Sequence, residues 1–188
     1  MRKWLRIATI PLLSVNILIV FYFYSAESRV KGPTQPVLFS HKVHAGDNMI
    51  PCQYCHSYVD ISPVPGIPSV QKCMGCHTHI AGRDVEYGFD GKSINMQKEI
   101  QKVKDYWNNK EPIPWVKVNM LPDFVHFNHK RHIRRGIDCT ACHGEIASMD
   151  MVHQVNNFSM GYCLTCHQMN AKDEQELTHL RDCLTCHY

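Results

Sequence analysis

All ten cysteines of this 188-residue chain fall into five copies of one pattern, Cys-x-x-Cys-His, starting at Cys52, Cys73, Cys139, Cys163 and Cys183. Residues three apart share one face of a helical turn. Two thiols so placed can each add to one vinyl group of a haem, and the histidine that follows is held beneath the iron as its proximal ligand. Zinc ribbons take Cys-x-x-Cys motifs in pairs, and five is odd. A dithiol oxidoreductase has no need of the histidine, and disulfides leave five histidines unexplained. The expected load is therefore five haem c. The attachment residues are Cys52, Cys55, Cys73, Cys76, Cys139, Cys142, Cys163, Cys166, Cys183 and Cys186, with His56, His77, His143, His167 and His187 as proximal ligands.

Five irons then need five further ligands, and eight of the thirteen histidines lie outside the motifs. Residues 37–44 read VLFSHKVH and residues 125–132 read VHFNHKRH, so F-x-H-K-x-H occurs twice. Histidines that recur in a repeat predict a role that recurs with them. His41, His44, His129 and His132 are accordingly expected as distal ligands, with Phe39 and Phe127 packed on haem faces. His126 aligns with Leu38 and is excluded from the set. His153 is the expected fifth distal ligand, against His179, His79 and the methionines Met149, Met151 and Met160; a His/Met pair would raise that haem's potential. Lys130, Arg131, Arg134 and Arg135 either pair with haem propionates or form a solvated loop.

These residues need elements to position them. From Ile7 to Ala26 the chain has twenty residues and no charge, about 30 Å of helix and enough to cross a bilayer. Arg2, Lys3 and Arg6 precede it, which predicts a cytoplasmic N-terminus and a haem domain on the outer side of a bacterial cytoplasmic membrane. A cleaved signal peptide is the rival, but no A-x-A site follows the run. The three basic residues also account for the formal charge of +3, so residues 7–188 balance to zero and give no argument for nucleic-acid binding. The expected organisation is an anchor (1–26), a linker (27–36), a dihaem module (37–88), a connection (89–122) and a trihaem module (123–188). Within the connection, Met96, Ile100, Val103 and Trp107 form the stripe of one amphipathic helix capped by Asp90 or Ser93, and WVKV at 115–118 predicts a short strand. About 32 residues per site cannot enclose five sites in an ordinary apolar core, so the cofactors themselves are expected to be the core.

The paired F-x-H-x-x-H and C-x-x-C-H motifs resemble those of the cytochrome c3/c7 group. The resemblance implies a mainly irregular and α fold with a haem-filled core, joined here to one N-terminal transmembrane helix. It also implies ligand pairs: His41 with His56, His44 with His77, His129 with His143, His132 with His167, and His153 with His187. Anchor plus two and three haems further resembles the pentahaem subunits of alternative complex III, a membrane quinol:electron-acceptor oxidoreductase. That resemblance implies molybdopterin/iron–sulfur-like and polytopic membrane partners, and a cytochrome c-type acceptor or terminal oxidase. Such a subunit relays electrons and is not an enzyme by itself. Two alternatives remain open: an anchored quinol dehydrogenase feeding a periplasmic nitrate or nitrite reductase, and a multihaem reductase with one open haem lined by His79, His126 or His179.

Overall fold

Short helical turns dominate the regular structure, because the motifs recur every few dozen residues and ten prolines and ten glycines punctuate the intervals. The computed structural model describes residues 16, 17, 19–21 and 32–188. Residues 16, 17 and 19–21 are helical and exposed; the rest of the expected membrane helix, and the linker up to Lys31, lie outside the described residues. Among the described residues, no helix is long and apolar enough to cross a membrane.

Residues 32–188 form a unit of their own. After a π-helical turn at Lys42–Asp47 come α1 (Cys52–Cys55) and α2 (Val70–His77). A two-stranded antiparallel hairpin follows, β1 (Glu86–Phe89) and β2 (Lys92–Asn95), then α3 (Met96–Asn109). The second half holds α4 (His129–Arg134), α5 (Thr140–His143), a 3-10 turn at Ile146–Ser148, α6 (Met160–Asn170), α7 (Glu174–Arg181) and a last 3-10 turn at Cys183–Thr185.

The hairpin is not among the elements expected from the sequence. Asp90 and Gly91, both at positive φ, make its two-residue turn, and Phe89 pairs with Lys92 across it. Asp90 is thus spent on the turn and Ser93 on β2, where its hydroxyl donates to Glu86. The cap of α3 is Asn95, whose side chain accepts from the Lys98 amide at 3.1 Å. The amphipathic stripe does become α3, and its Val103 is buried. The expected strand at 115–118 does not form. Among the described residues no strand lies beside it; instead the Gln35 side chain accepts from the Val116 N–H at 2.8 Å and donates to its carbonyl at 2.9 Å, satisfying the backbone as a neighbouring strand would.

Apolar packing is sparse. Among the described residues, only Val37, Val59, Phe89, Val103 and Ile113 are buried hydrophobics. Val37, Val103 and Ile113 cluster, with Val70, Cys73, Met74, Tyr106 and Trp115 against them, and so tie α2 and its motif to α3. Removing two methyls there by Val103→Ala should cost about 2 kcal/mol, read as an earlier denaturation midpoint with an unchanged haem spectrum.

The halves are stitched together. Lys42 N–H donates to the Met149 carbonyl at 2.9 Å, and Tyr87 donates to the Asp150 carboxylate at 3.0 Å. Asp150 also accepts from the Ser40 hydroxyl. Gly46 sits so close to the next turn that a Cβ there would lie 2.3 Å from the Ala147 carbonyl oxygen, which admits only glycine.

Candidate haem sites

Each motif begins in a helical turn, which puts its two thiols on one side and its histidine at the turn's end. The first spans α1, the second closes α2, the third is α5, the fourth lies in α6 and the fifth starts in the last 3-10 turn. Local caps hold these turns. Ser159 accepts from Tyr162 N–H ahead of the fourth motif. Asp138 and Asp182, each immediately before a cysteine, accept from the amides of Thr140 and Leu184 at 2.8 Å. No disulfide joins any two of the ten cysteines.

The ring geometry of the histidines is the decisive feature. Two imidazoles holding one metal from opposite sides, each with a bond of about 2 Å and roughly 1 Å from nitrogen to ring centre, have centroids about 6 Å apart. The centroids of His44 and His77 are 6.1 Å apart, those of His129 and His143 6.3 Å, and those of His132 and His167 6.2 Å. Ring planes within these pairs differ by 63°, 3° and 28° respectively, and rotation about a shared axis is free.

Tautomers are set by backbone carbonyls. Nδ1 of His44 donates to Ser40 at 2.8 Å, that of His56 to Gly66 at 2.8 Å and that of His77 to Ile80 at 2.9 Å. Nδ1 of His129 donates to Pro63 at 3.0 Å and that of His132 to Asn128 at 2.9 Å. Nδ1 of His167 donates to Leu180 at 3.1 Å and that of His187 to Phe124 at 3.0 Å. With Nδ1 carrying the proton, Nε2 is left as the donor atom for a metal, the arrangement that orients ligating histidines. Burial acts in the same sense, because it disfavours the protonated ring, which cannot ligate. It lowers His44, His129 and His143, and takes His41 down to about 4, with His56 and His44 beside it adding to the effect.

The two F-x-H-K-x-H segments share one local geometry. Phe39 meets His41 edge-on (86°) and lies over His44 (26°); Phe127 meets His129 edge-on (89°) and lies over His132 (29°). The phenylalanines expected on haem faces therefore contact the second histidine of each pair. All ten histidines named as expected ligands, His153 included, are half-buried, whereas His79, His126 and His179 are exposed. Two expected pairs are not displayed as ring contacts among the described residues. His41 has His56 near it, with its own Nδ1 buried and unpartnered. His187 meets Phe124, at 5.7 Å, and not His153.

Haem fits these residues. Paired imidazoles at two-ligand spacing, each pair including the histidine of a Cys-x-x-Cys-His motif, match a group attached through two thiols and ligated by two histidines. When bound, the group supplies a one-electron ferric/ferrous couple.

Residues 125–188 match the family model described as cytochrome c7 and related cytochrome c, and residues 24–103 match the class III cytochrome C family. The fold is of the c3/c7 multihaem cytochrome type. Cytochromes of these families bind haem c covalently, so this is a multihaem electron-transfer protein, mostly helical and irregular. The chain is also 28% identical, over 173 residues, to the multiheme cytochrome c subunit of the menaquinone reductase of Nitratidesulfovibrio vulgaris, spanning 81% of this chain and 76% of that relative.

The carbonyls of Gly66, Ile80, Pro63, Leu180 and Phe124 carry no sign in the sequence, since backbone groups have no motif. Ser40 and Asn128, each four residues ahead of a histidine, were legible in principle from helical spacing.

Proposed function

We propose that this chain is a pentahaem, membrane-anchored cytochrome c that relays single electrons between a quinone-reactive membrane complex and a cytochrome c-type partner or terminal oxidase outside the membrane. The observation that carries the reading is the set of three histidine pairs at 6.1–6.3 Å. An iron held by two imidazoles has no open position for a substrate, so such sites carry electrons and make no bonds. The uncharged run Ile7–Ala26 serves as the anchor, with the haem domain on the outer side.

The preferred partners are those of alternative complex III: a molybdopterin/iron–sulfur-like subunit and polytopic quinol-binding proteins, with electrons leaving quinol. A second reading is favoured by the relative's name: electrons enter from a periplasmic donor and leave to menaquinone. Both use the same relay, because potentials and not ligand geometry set direction.

The test is native purification in mild detergent followed by haem quantification and identification of co-purifying chains. Five haems per chain and a multisubunit quinone-reactive assembly are expected. Isolation alone, with quinol oxidation by the single chain, would replace this reading with the anchored quinol dehydrogenase. A five-coordinate haem that binds nitric oxide in the parent protein would point to the reductase.

A further inference from the structure

The segment linking the first two motifs reaches across to the second module. Gly66 O accepts from the proximal His56 at 2.8 Å, and Pro63 O, three residues earlier, accepts from Nδ1 of His129 at 3.0 Å. The same turn holds the start of α4: His129 N–H donates to Pro63 O at 3.1 Å and Lys130 N–H to Ser62 O at 3.3 Å. Tyr58 N–H bonds Pro65 O, and Gly66 is at φ 76° with its Cβ position 2.8 Å from the Tyr58 ring, so the turn is folded tightly back on His56. One short rigid turn therefore fixes a ligand of the first site and a ligand of the third.

The thiols give the same neighbours independently. Cys52 is among the groups that act on the Cys139 thiol, so the first and third motifs are neighbours. The other thiol of the first motif, Cys55, faces the second motif: burial raises Cys73, and Cys55 adds to it. In the second module, the Tyr162 hydroxyl of α6 donates to Ala141 O of the third motif at 3.0 Å, and Cys142 and Cys186 are both among the groups that act on the Cys163 thiol. His167 is held by Leu180, three residues before the fifth motif. Since the thiols are the points of attachment to the porphyrin edges, thiol neighbours are edge neighbours.

We propose that the modules are joined electronically through the His56 and His143 sites, so that the relay runs His77, His56, His143, His167, His187 and not in the order of the motifs along the chain. This rests on the reading of the chain as a pentahaem relay. Each transfer oxidises one site by one electron and reduces its neighbour by one, with no bond or proton moved. The His77 and His187 sites become the two ends, and the turn Ser62–Gly66 is the positioning element at the crossing.

The test separates neighbours by count. Methionine in place of a distal histidine raises that site's potential, so His41→Met and His44→Met allow the His56 or the His77 site to be reduced alone in the full-length, detergent-purified holoprotein. Reduction removes a paramagnet and lengthens the relaxation of ferric neighbours in pulsed EPR. Their signals are distinguishable because the ligand planes differ so widely. Reduction of the His56 site should alter two neighbours and reduction of the His77 site one. The motif order requires one and two, and two for both would mean a closed cluster; either result overturns the proposal. Iron positions in the unsubstituted protein, from anomalous diffraction, give the same decision without a variant: the His143 iron should be nearer to that of His56 than to that of His77. Fewer than five irons would overturn the pentahaem reading itself, separately from their order.

Discussion

The oxidised His132→Ala protein should contain one more high-spin haem than its parent, with the haem content per chain unchanged. His132 is held from three sides: its ring is 6.2 Å from His167, its Nδ1 donates to Asn128 O four residues back, and Phe127 lies over its face at 4.4 Å. An alanine has no donor atom, and the fixed turn brings no substitute into the same place. Attachment through the proposed thiols Cys163 and Cys166 would not depend on the distal side, so haem content should stay constant while the spin state changes. EPR and the optical charge-transfer region read the difference. His132→Met should stay six-coordinate and instead lift that site's potential, within the roughly 0.8 V range that axial ligation commands. Lys130→Ala, on the same helix but outside the ring pairs, should leave the spin state unchanged. A spectrum of His132→Ala identical to the parent's would mean that this ring does not hold an iron.

How much of this was legible in the sequence depends on the kind of contact. The motifs and the duplicated Phe-x-His-Lys-x-His are local patterns, and local patterns dictate local geometry. Both copies fold with the first histidine edge-on to its phenylalanine and the second beneath it. The stripe Met96–Trp107 likewise became a helix because its period is local. The hairpin went unread because Tyr87 to Asn95 lacks clean alternation and rests instead on the Asp90–Gly91 turn and on Phe89, the one fully buried large side chain among the described residues. WVKV has strand propensity but, among the described residues, no strand to pair with, and the Gln35 amide took that place from 81 positions away. The crossing at Ser62–Gly66 was invisible for the same reason. Its bonds are made by backbone carbonyls, which every residue has, and nothing in residue type marks those of Pro63 and Gly66 for histidines.

That division between local and long-range order carries the last expectation: the chain made without haem attachment, by replacing the ten cysteines with alanine, should not fold cooperatively. The motif turns run from three to eleven residues, below the ~12–15 at which even favourable helices persist alone in water. Tertiary contacts cannot make up the difference, since five buried apolar side chains serve the whole described unit and most of the large hydrophobics would gain nothing by closing on one another across the space the cofactors fill. Half-buried histidines whose burial lowers their basicity would also gain, below about pH 6.5, by unfolding into water and taking up protons. One region should resist: α3, fourteen residues long and capped by Asn95, with Val37 and Ile113 packed on Val103. The haem-free chain should therefore keep some far-UV helical signal yet lose near-UV fine structure from Tyr87 and Tyr162, whose hydroxyls bond to distant segments, and show no sigmoidal melt. The holoprotein under the same conditions should melt in one sharp transition. A haem-free chain melting as sharply as the holoprotein would locate the core in the polypeptide after all, and would require the exposed Ile61, Val64, Ile67 and Met160 to find partners in the protein alone.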